Sequence, residues 1–405
     1  MTEERNEVLS KETTMNATNT LSAKFQNLEA DLRTVLLERN EETHTAMLAL
    51  IGRQHHFTLG QPGIGKSLLV DQLVKRIADV NYFDILLMKH SQPDEVFGGP
   101  DVKKLSETGA FERVITGMLP EADIAMLDEI FKANAAILNA MLRAMNERRF
   151  SMGAGRVIDI PLHTIFAASN ELADTEELAA MWDRLHFRHF SNPLQETSNF
   201  VKMISSDIPD DPEHFLTMLD IKAARRAANE VEIPDEVLEA TVLLKDQLLQ
   251  ESIEVSDRRW REAMKAIRSE AFYNGHSVAE IHDMRPLMHF LWSNPDHIKT
   301  VRRLVLELAN PLEREAAELL DDLTESYAQY ENQFKDAENK QQKAAHGVEM
   351  FRKLNKAKDS YKDLRKRQGK TGRQSDVMDE LGAKIQSSGK QLLKALGHDD
   401  DDNEV

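Results

Sequence analysis

The stretch Phe57-Thr58-Leu59-Gly60-Gln61-Pro62-Gly63-Ile64-Gly65-Lys66-Ser67-Leu68 decides the fold. Residues 60–67 fit the pattern G-x-x-x-x-G-K-[ST] without a gap. The flanks agree with it: the apolar run His56–Leu59 reads as a strand, and Leu68–Ile77 reads as the helix that follows. Glycines in such a loop let the backbone curl until several N–H groups point at phosphate oxygens. Gly60, Gln61, Pro62, Gly63, Ile64, Gly65, Lys66, Ser67 and Leu68 are therefore the expected nucleotide-binding residues. Lys66 should reach the terminal phosphates and Ser67 should ligate Mg²⁺. A chance glycine-rich turn would lack the strand and helix in this order. By itself the loop reads as ATP or GTP binding.

Working outward, Ile85–Met88, Ile124–Leu127 and Thr164–Ala168 are further candidate strands separated by helical stretches. Strands alternating with helices predict a mainly parallel sheet covered on both faces, an α/β fold. Ile124-Ala125-Met126-Leu127 runs straight into Asp128 and Glu129. Asp128 suits a residue that holds Mg²⁺ through water, and Glu129 suits the base that polarises an attacking water. Two acids at a strand end could instead cap a helix; their place after a phosphate loop favours the chemical role. The next strand ends at Asn170, whose amide could hold the water between the γ-phosphate and Glu129, or could merely start a turn. Arg184, in Met181-Trp182-Asp183-Arg184-Leu185, is of the type that offsets transition-state charge, and Arg258 and Arg259 open a second helical segment. A surface ion pair is the ordinary alternative for each arginine.

Beyond Asn192-Pro193 helices dominate, with Val237–Leu249 and Asp257–Tyr273 the clearest. Another helix starts at Asn310-Pro311-Leu312-Glu313, where the Asn can cap, Pro suits the first turn and Glu313 sits at a capping-box position. An apolar seam of Leu308, Leu312, Leu319, Leu323, Tyr327, Tyr330, Phe334 and Ala337 predicts packing on another helix or coiling with a partner. Arg352–Arg373 is basic and carries a single ring, Tyr361, so a solvated helical face is favoured over a nucleic-acid grip. The net charge of -18 also disfavours a polyanionic partner. There are no cysteines, which excludes disulfide frameworks and thiolate metal sites. The opening MTEERNEVLS is charged and lacks an apolar core, and no apolar run reaches membrane-spanning length. A cytoplasmic protein is expected.

Joined together, GQPGIGKSLL, SQPDEVFGGPDVKKL, GAFERVITGMLPEADIAMLDEIFKANAAILNAMLRAMNERRF, IFAASNEL, MWDRL and VSDRRWREAMKAIRSEAFYNG resemble the MoxR branch of AAA+ ATPases, and within it the RavA-like proteins, over most of residues 28–292. The resemblance implies an AAA+ αβα core with an all-α lid, and ATP rather than GTP as the nucleotide. It implies that Asn170 is the sensor-1 residue, that Arg184 is an arginine finger acting on a neighbouring subunit, and that Arg258, with Arg259 a close competitor, is the lid's sensor-2 arginine. Residues 101–120 correspond to the helix-2 insert and Arg149–Ile160 to the hairpin before sensor 1, which makes Phe111 and Arg113 contact candidates. Relatives form rings, usually hexamers, and work with a von Willebrand factor A (VWA) domain protein in remodelling other proteins.

The resulting expectation is a disordered amino terminus (1–20), an AAA+ core (21–193), a lid (194–292), a helical extension (293–397) that does not match RavA proteins, and a disordered acidic tail (398–405). ATP is expected between core and lid of one subunit, with Arg184 of the next completing the site. A nucleic-acid motor and a nucleotide-gated interaction scaffold are the alternative functions.

Overall fold

The computed structural model describes residues 2–172, 176–208, 212–337, 339–369 and 375–396. It forms two compact units, residues 1–302 and 303–405. In chain order the first unit opens with helices α1 (Thr2–Val35) and α2 (Asn40–Gly52), strand β1 (His56–Gly60) and helix α3 (Lys66–Val74). Then follow β2 (Ile77–Ala78), β3 (Tyr82–Leu86), α4 (Pro93–Phe97), α5 (Val102–Thr108), β4 (Ile124–Asp128) and α6 (Ala135–Glu147). The core closes with β5 (Arg149–Gly153), β6 (Arg156–Asp159), β7 (Thr164–Ser169), α7 (Glu176–Trp182), β8 (Phe187–Ser191) and α8 (Thr197–Ser205). Beyond it lie β9 (Leu216–Thr217), α9 (Met218–Asn229), α10 (Asp235–Gln250), α11 (Asp257–Tyr273) and α12 (Ile298–Ala309), the last crossing the unit boundary.

Five strands form one parallel sheet in the order β3-β4-β7-β1-β8. The interior strands β1 and β7 are buried along their whole length, as expected of a parallel sheet covered on both faces. Because every strand runs the same way, Gly60, Asp128 and Ser169 all reach one edge of the sheet.

The candidate strands around residues 56, 124 and 164 are found, while the one placed at Ile85–Met88 lies at Tyr82–Leu86. The fifth strand, β8, has no signal in the sequence, because Phe-Arg-His-Phe-Ser interrupts apolar residues with Arg188 and His189. Both are buried. The Arg188 guanidinium donates to the carbonyls of Leu185 (2.9 Å), Trp182 (2.6 Å) and Trp292 and lies 4.1 Å from the Trp182 ring centre. A carbonyl on each nitrogen and a ring face are what let a charged side chain sit inside a strand.

The amino terminus corrects an expectation. The segment 1–20, read as disordered, is helical from Thr2, and no glycine or proline interrupts the run to Val35. Its later turns bury Phe25, Leu28 and Leu32. The expected acidic tail lies outside the described residues.

In the second unit α13 (Pro311–Asp336), α14 (Lys340–Gln368) and α15 (Asp376–Ala395) pack on one another. Asn310 caps α13 as its sequence suggests, accepting from Glu313 N–H at 3.3 Å and donating to its carboxylate at 2.8 Å. The seam, carried by Ala316, Leu320, Leu323, Tyr327 and Tyr330, is covered by helices of the same chain. Two cations of the basic stretch are held within this unit: Arg367 binds Glu315 at 2.7 Å and Arg365 binds Asp379. Lys370 and Arg373 lie outside the described residues. Among the described residues no helix is long and apolar enough to cross a membrane.

Candidate nucleotide site

At the carboxyl end of β1 the chain has little room. A Cβ on Gly60 would stand 2.4 Å from Ile64 Cδ1 and 2.7 Å from the Ser191 carbonyl, so only glycine lets the loop turn against β8. Gly63 and Gly65 both adopt a φ of +82°, the left-handed region that closes the loop onto the start of α3. Lys66 folds back across it: its ammonium donates to the Gly60 carbonyl at 2.7 Å and lies within 3.4 Å of the Ser169 carbonyl on β7. The lysine thus spans two adjacent strand ends with a cation that, among the described residues, only neutral carbonyls hold.

Arg39, which the sequence gave no reason to select, braces the loop from outside. Its guanidinium donates to the Asn192 carbonyl at 2.6 Å and to the Ile64 carbonyl at 3.3 Å. Its neighbour Glu38 accepts from the N–H groups of Gln195 (2.7 Å) and Glu196 (3.0 Å) and from Asn199 (2.9 Å). A turn between α1 and α2 thereby ties the loop to the start of α8.

On the same edge, β4 delivers Asp128 and Glu129. Asp128 accepts the Glu129 N–H at 2.9 Å. Glu129 takes a φ of +54°, an uncommon conformation for a non-glycine residue and one that turns the chain sharply off the strand. Its carboxylate meets Lys132 at 3.2 Å and the Asn170 N–H at 3.4 Å. The structure therefore brings Lys66, Asp128, Glu129 and Asn170 to one edge. The Asn170 side-chain oxygen is buried with no hydrogen-bond partner. A buried amide oxygen left this way is costly, and a water donating to it from the nucleotide side would satisfy it. Together with the glycine loop and the carbonyl-bound ammonium, this donor set fits Mg²⁺ and a nucleoside triphosphate.

The arginines lie elsewhere. Arg184 precedes β8 and Arg53 precedes β1, so both stand at the amino edge of the sheet. A cavity of about 190 Å³ there is lined by Arg184, Arg258, Arg53, Arg148, Arg225 and Lys265 among others, and by no residue of the phosphate loop. Arg184 donates to the Ala180 carbonyl at 2.5 Å, and its Nε is buried without a partner. Burial, then repulsion from Arg258, lowers its pKa. Arg258 is exposed, with its nearest carboxylate, Asp183, 3.7 Å away.

Arg259, the close competitor of Arg258, is only 2% exposed and held within the fold. Its guanidinium donates to the carbonyls of Phe290 (2.5 Å), His186 (2.6 Å), Leu185 (3.1 Å) and Asp183 (3.2 Å). It fastens the lid helix to the core, with each of its three nitrogens already bonded to a backbone carbonyl.

The inserts also take shape. The hairpin β5–β6 packs on the loop after α5: a Cβ on Gly153 would fall 2.5 Å from the Phe111 carbonyl. Phe111 is 42% exposed, whereas Arg113 is held by Asp94 (2.5 Å) and the Gly98 carbonyl (2.5 Å). Of the two contact candidates, Phe111 is the one left on the surface.

A glycine loop entering a helix, an acid pair two strands away in the same parallel sheet and a helical lid define a P-loop nucleotide-binding protein with an AAA+ architecture. Residues 23–207 match the model of the MoxR domain of the MoxR-vWA-beta-propeller ternary systems, and residues 236–305 match an AAA lid domain. Two uncharacterized proteins of Methanocaldococcus jannaschii are similar: one is 36% identical over 71% of this chain and 75% of its own length, the other 34% over 74% and 80%. A structural protein of Acidianus two-tailed virus is 25% identical over 52% of this chain and 36% of its own. A crystallised protein of Cytophaga hutchinsonii described as a candidate ATPase shares the fold, with a TM-score of 0.61 and 15% identity over 75% of this chain and 99% of its own. The chain belongs to the MoxR family of AAA+ ATPases.

Proposed function

We propose that the chain is a Mg²⁺-dependent ATP hydrolase that works as a ring of identical subunits, each active site shared by two of them. One observation carries this reading. Lys66, Asp128, Glu129 and Asn170 stand at the carboxyl edge of the sheet, while Arg184 and Arg258 stand together at the amino edge. Five-residue strands rising about 3.3 Å per residue keep those edges more than ~10 Å apart. The arginines therefore serve another copy's nucleotide, and head-to-tail repetition of such a contact closes into a ring. This moves Arg258 from a reporter on its own subunit's ATP, as the sequence suggested, to a partner of Arg184 in reaching the next subunit.

Within the shared site Mg²⁺ would supply charge neutralisation on the triphosphate, held by Ser67 and, through water, Asp128. Lys66 binds the terminal phosphates, Glu129 polarises the attacking water, Asn170 orients that water through its orphan oxygen, and Arg184 offsets charge on the transferring phosphoryl. Helix α8, beside the loop, exposes Phe200, Val201, Met203 and Ile204, the kind of apolar surface that subunit contact covers.

Protein remodelling together with a VWA-domain partner is the most consistent use of the motor, supported by the ternary systems to which the matched MoxR domain belongs. A hexamer and a cytoplasmic setting complete the proposal. The nucleic-acid alternative has less local support than the charge run alone suggests, since Arg365 and Arg367 of that run are engaged by Asp379 and Glu315. The deciding experiment is steady-state ATP hydrolysis over a range of protein concentrations, with particle size measured in ATP. Activity per subunit should rise as the assembly forms; concentration-independent activity from a monomer would contradict a shared site.

A further inference from the structure

The cavity beside Arg184 and Arg258 holds more positive charge than those two side chains account for. Arg53, Arg148, Arg225 and Lys265 also line it, against Glu262 as the one lining carboxylate. That carboxylate is already engaged, by Lys265 at 2.6 Å and Gln54 at 3.1 Å. Arg148 spends its donors on neutral groups, His55 Nε2 at 3.0 Å and the carbonyls of Arg53 and His163 at 3.3 Å. Arg53 donates to the Leu162 carbonyl at 3.0 Å. Arg225, half-buried on α9, has no carboxylate partner among the described residues.

The crowding has electrostatic consequences. Burial, then repulsion from Arg53 and Arg225, pushes Arg148 down to about 9, and burial followed by Arg225 lowers Arg53. Like charges gathered in a partly enclosed space raise the energy of the folded chain, and an entering anion reverses the sign of that interaction. A volume of about 190 Å³ admits phosphoryl groups, and Asn146 and Asn229 add polar side chains to the wall.

We infer that this cavity is a phosphoryl-anion site in which Arg225 is a third phosphate-contacting cation beside Arg184 and Arg258. The inference rests on the shared-site reading above and deepens it: a turn before β8, the start of α11 and the middle of α9 each contribute one arginine. The phosphoryl group has two possible sources, the nucleotide of the adjoining subunit and free orthophosphate.

The test compares Arg225→Ala and Arg225→Lys with wild type in ATP turnover, particle size in ATP, ATP affinity of the dissociated chain, and melting temperature. Arg225→Ala should lower turnover per assembled subunit at least tenfold, and Arg225→Lys should recover part of it. Size and own-loop affinity should be unchanged, and the melting temperature unchanged or raised, because a repelled cation has been removed; a merely structural arginine would lower it. Orthophosphate calorimetry on dissociated Lys66→Ala protein, with and without Arg225→Ala, separates the sources. Binding that depends on Arg225 assigns the free anion as well, and no binding with the turnover loss intact assigns the nucleotide alone. Wild-type turnover in Arg225→Ala, with no Arg225-dependent orthophosphate binding, overturns the inference even while Arg184→Ala is inactive. Wild-type turnover in Arg184→Ala and Arg258→Ala would instead remove the shared site itself.

Discussion

The Ser256 hydroxyl donates to the carboxylate of Asp183 at 2.8 Å, and with that bond the lid is tied to the turn that carries Arg184. Ser256 is also the cap of α11, accepting the Arg259 N–H at 3.2 Å. One hydroxyl thus fixes where α11 begins and sets Arg258 against Asp183. Lid rotation should therefore move the two exposed-edge arginines as a unit.

If those arginines act on another copy, two inactive variants should rescue each other. Glu129→Gln supplies good arginines and a dead loop; Arg184→Ala supplies the reverse. Mixed at equal amounts before assembly, they should recover roughly a quarter of wild-type turnover, the share of randomly formed head-to-tail contacts that pair an intact Glu129 with an intact Arg184. The same rescue is expected with Arg258→Ala. Its absence, with mixed assemblies demonstrated, would place the arginine in its own subunit's site.

Glu129→Gln alone should retain ATP binding and lower turnover by about 10²–10⁴-fold, the usual worth of a positioned general base. ATP recovered unhydrolysed from the isolated complex is the direct readout. A variant within twofold of wild type would exclude Glu129 as the base.

Gly60→Ala should weaken nucleotide binding. The added carbon meets Ile64, which can shift, and the Ser191 carbonyl 2.7 Å away, which β1–β8 pairing holds in place. Overpacking of this kind costs about 1–3 kcal/mol, and if the strain falls on the bound loop, affinity for a fluorescent ATP analogue should drop by roughly ten- to a hundredfold.

Stability should depend on pH through a buried cluster that includes none of the candidate nucleotide-site residues. His44 lies between Glu29 (3.0 Å) and Glu270 (2.8 Å), and Tyr273 donates to Glu29 at 2.5 Å. Burial alone would lower the His44 pKa, but Glu270 and Glu29 hold it well above 6.5. Burial would raise the two carboxylates, but His44 keeps both below 4.5. A raised histidine stabilises fully below its unfolded value and loses that contribution as pH climbs through its folded one. Depressed carboxylates stabilise above their unfolded value and lose that contribution as pH falls. The cluster should thus contribute most between pH 4.5 and 6.5. His44→Leu strips a cation from buried carboxylates and should cost on the order of 3–5 kcal/mol in that window. Urea unfolding across pH should show the gap from wild type narrowing above it; a constant gap would mean His44 is not charged in the folded chain.

Much of the site was legible in the sequence because its parts are consecutive. The glycine loop, Asp128-Glu129 at a strand end and the capped start of α13 each depend on neighbours a few positions away, and local geometry follows from local residue types. Asn170 was recognisable from its place after the fourth candidate strand. Arg39 was not, since its partners, Ile64 and Asn192, lie far along the chain. Nor was β8, where buried Arg188 imitates a surface residue until the carbonyls that hold it are known.

By itself the sequence determined a P-loop core of alternating strands and helices with an acid pair at a strand end, because hydrophobic periodicity and backbone freedom are properties of short stretches. Only the tertiary structure sets Arg258 apart from Arg259, which are adjacent and identical in kind. Desolvation and four carbonyls bind one into the fold, and the lack of such partners leaves the other at the edge. It also decided that Arg184 and Arg258 stand a strand's length from Lys66, since the parallel direction of the strands, fixed by pairing distant segments, sends the loop to one edge and the arginines to the other.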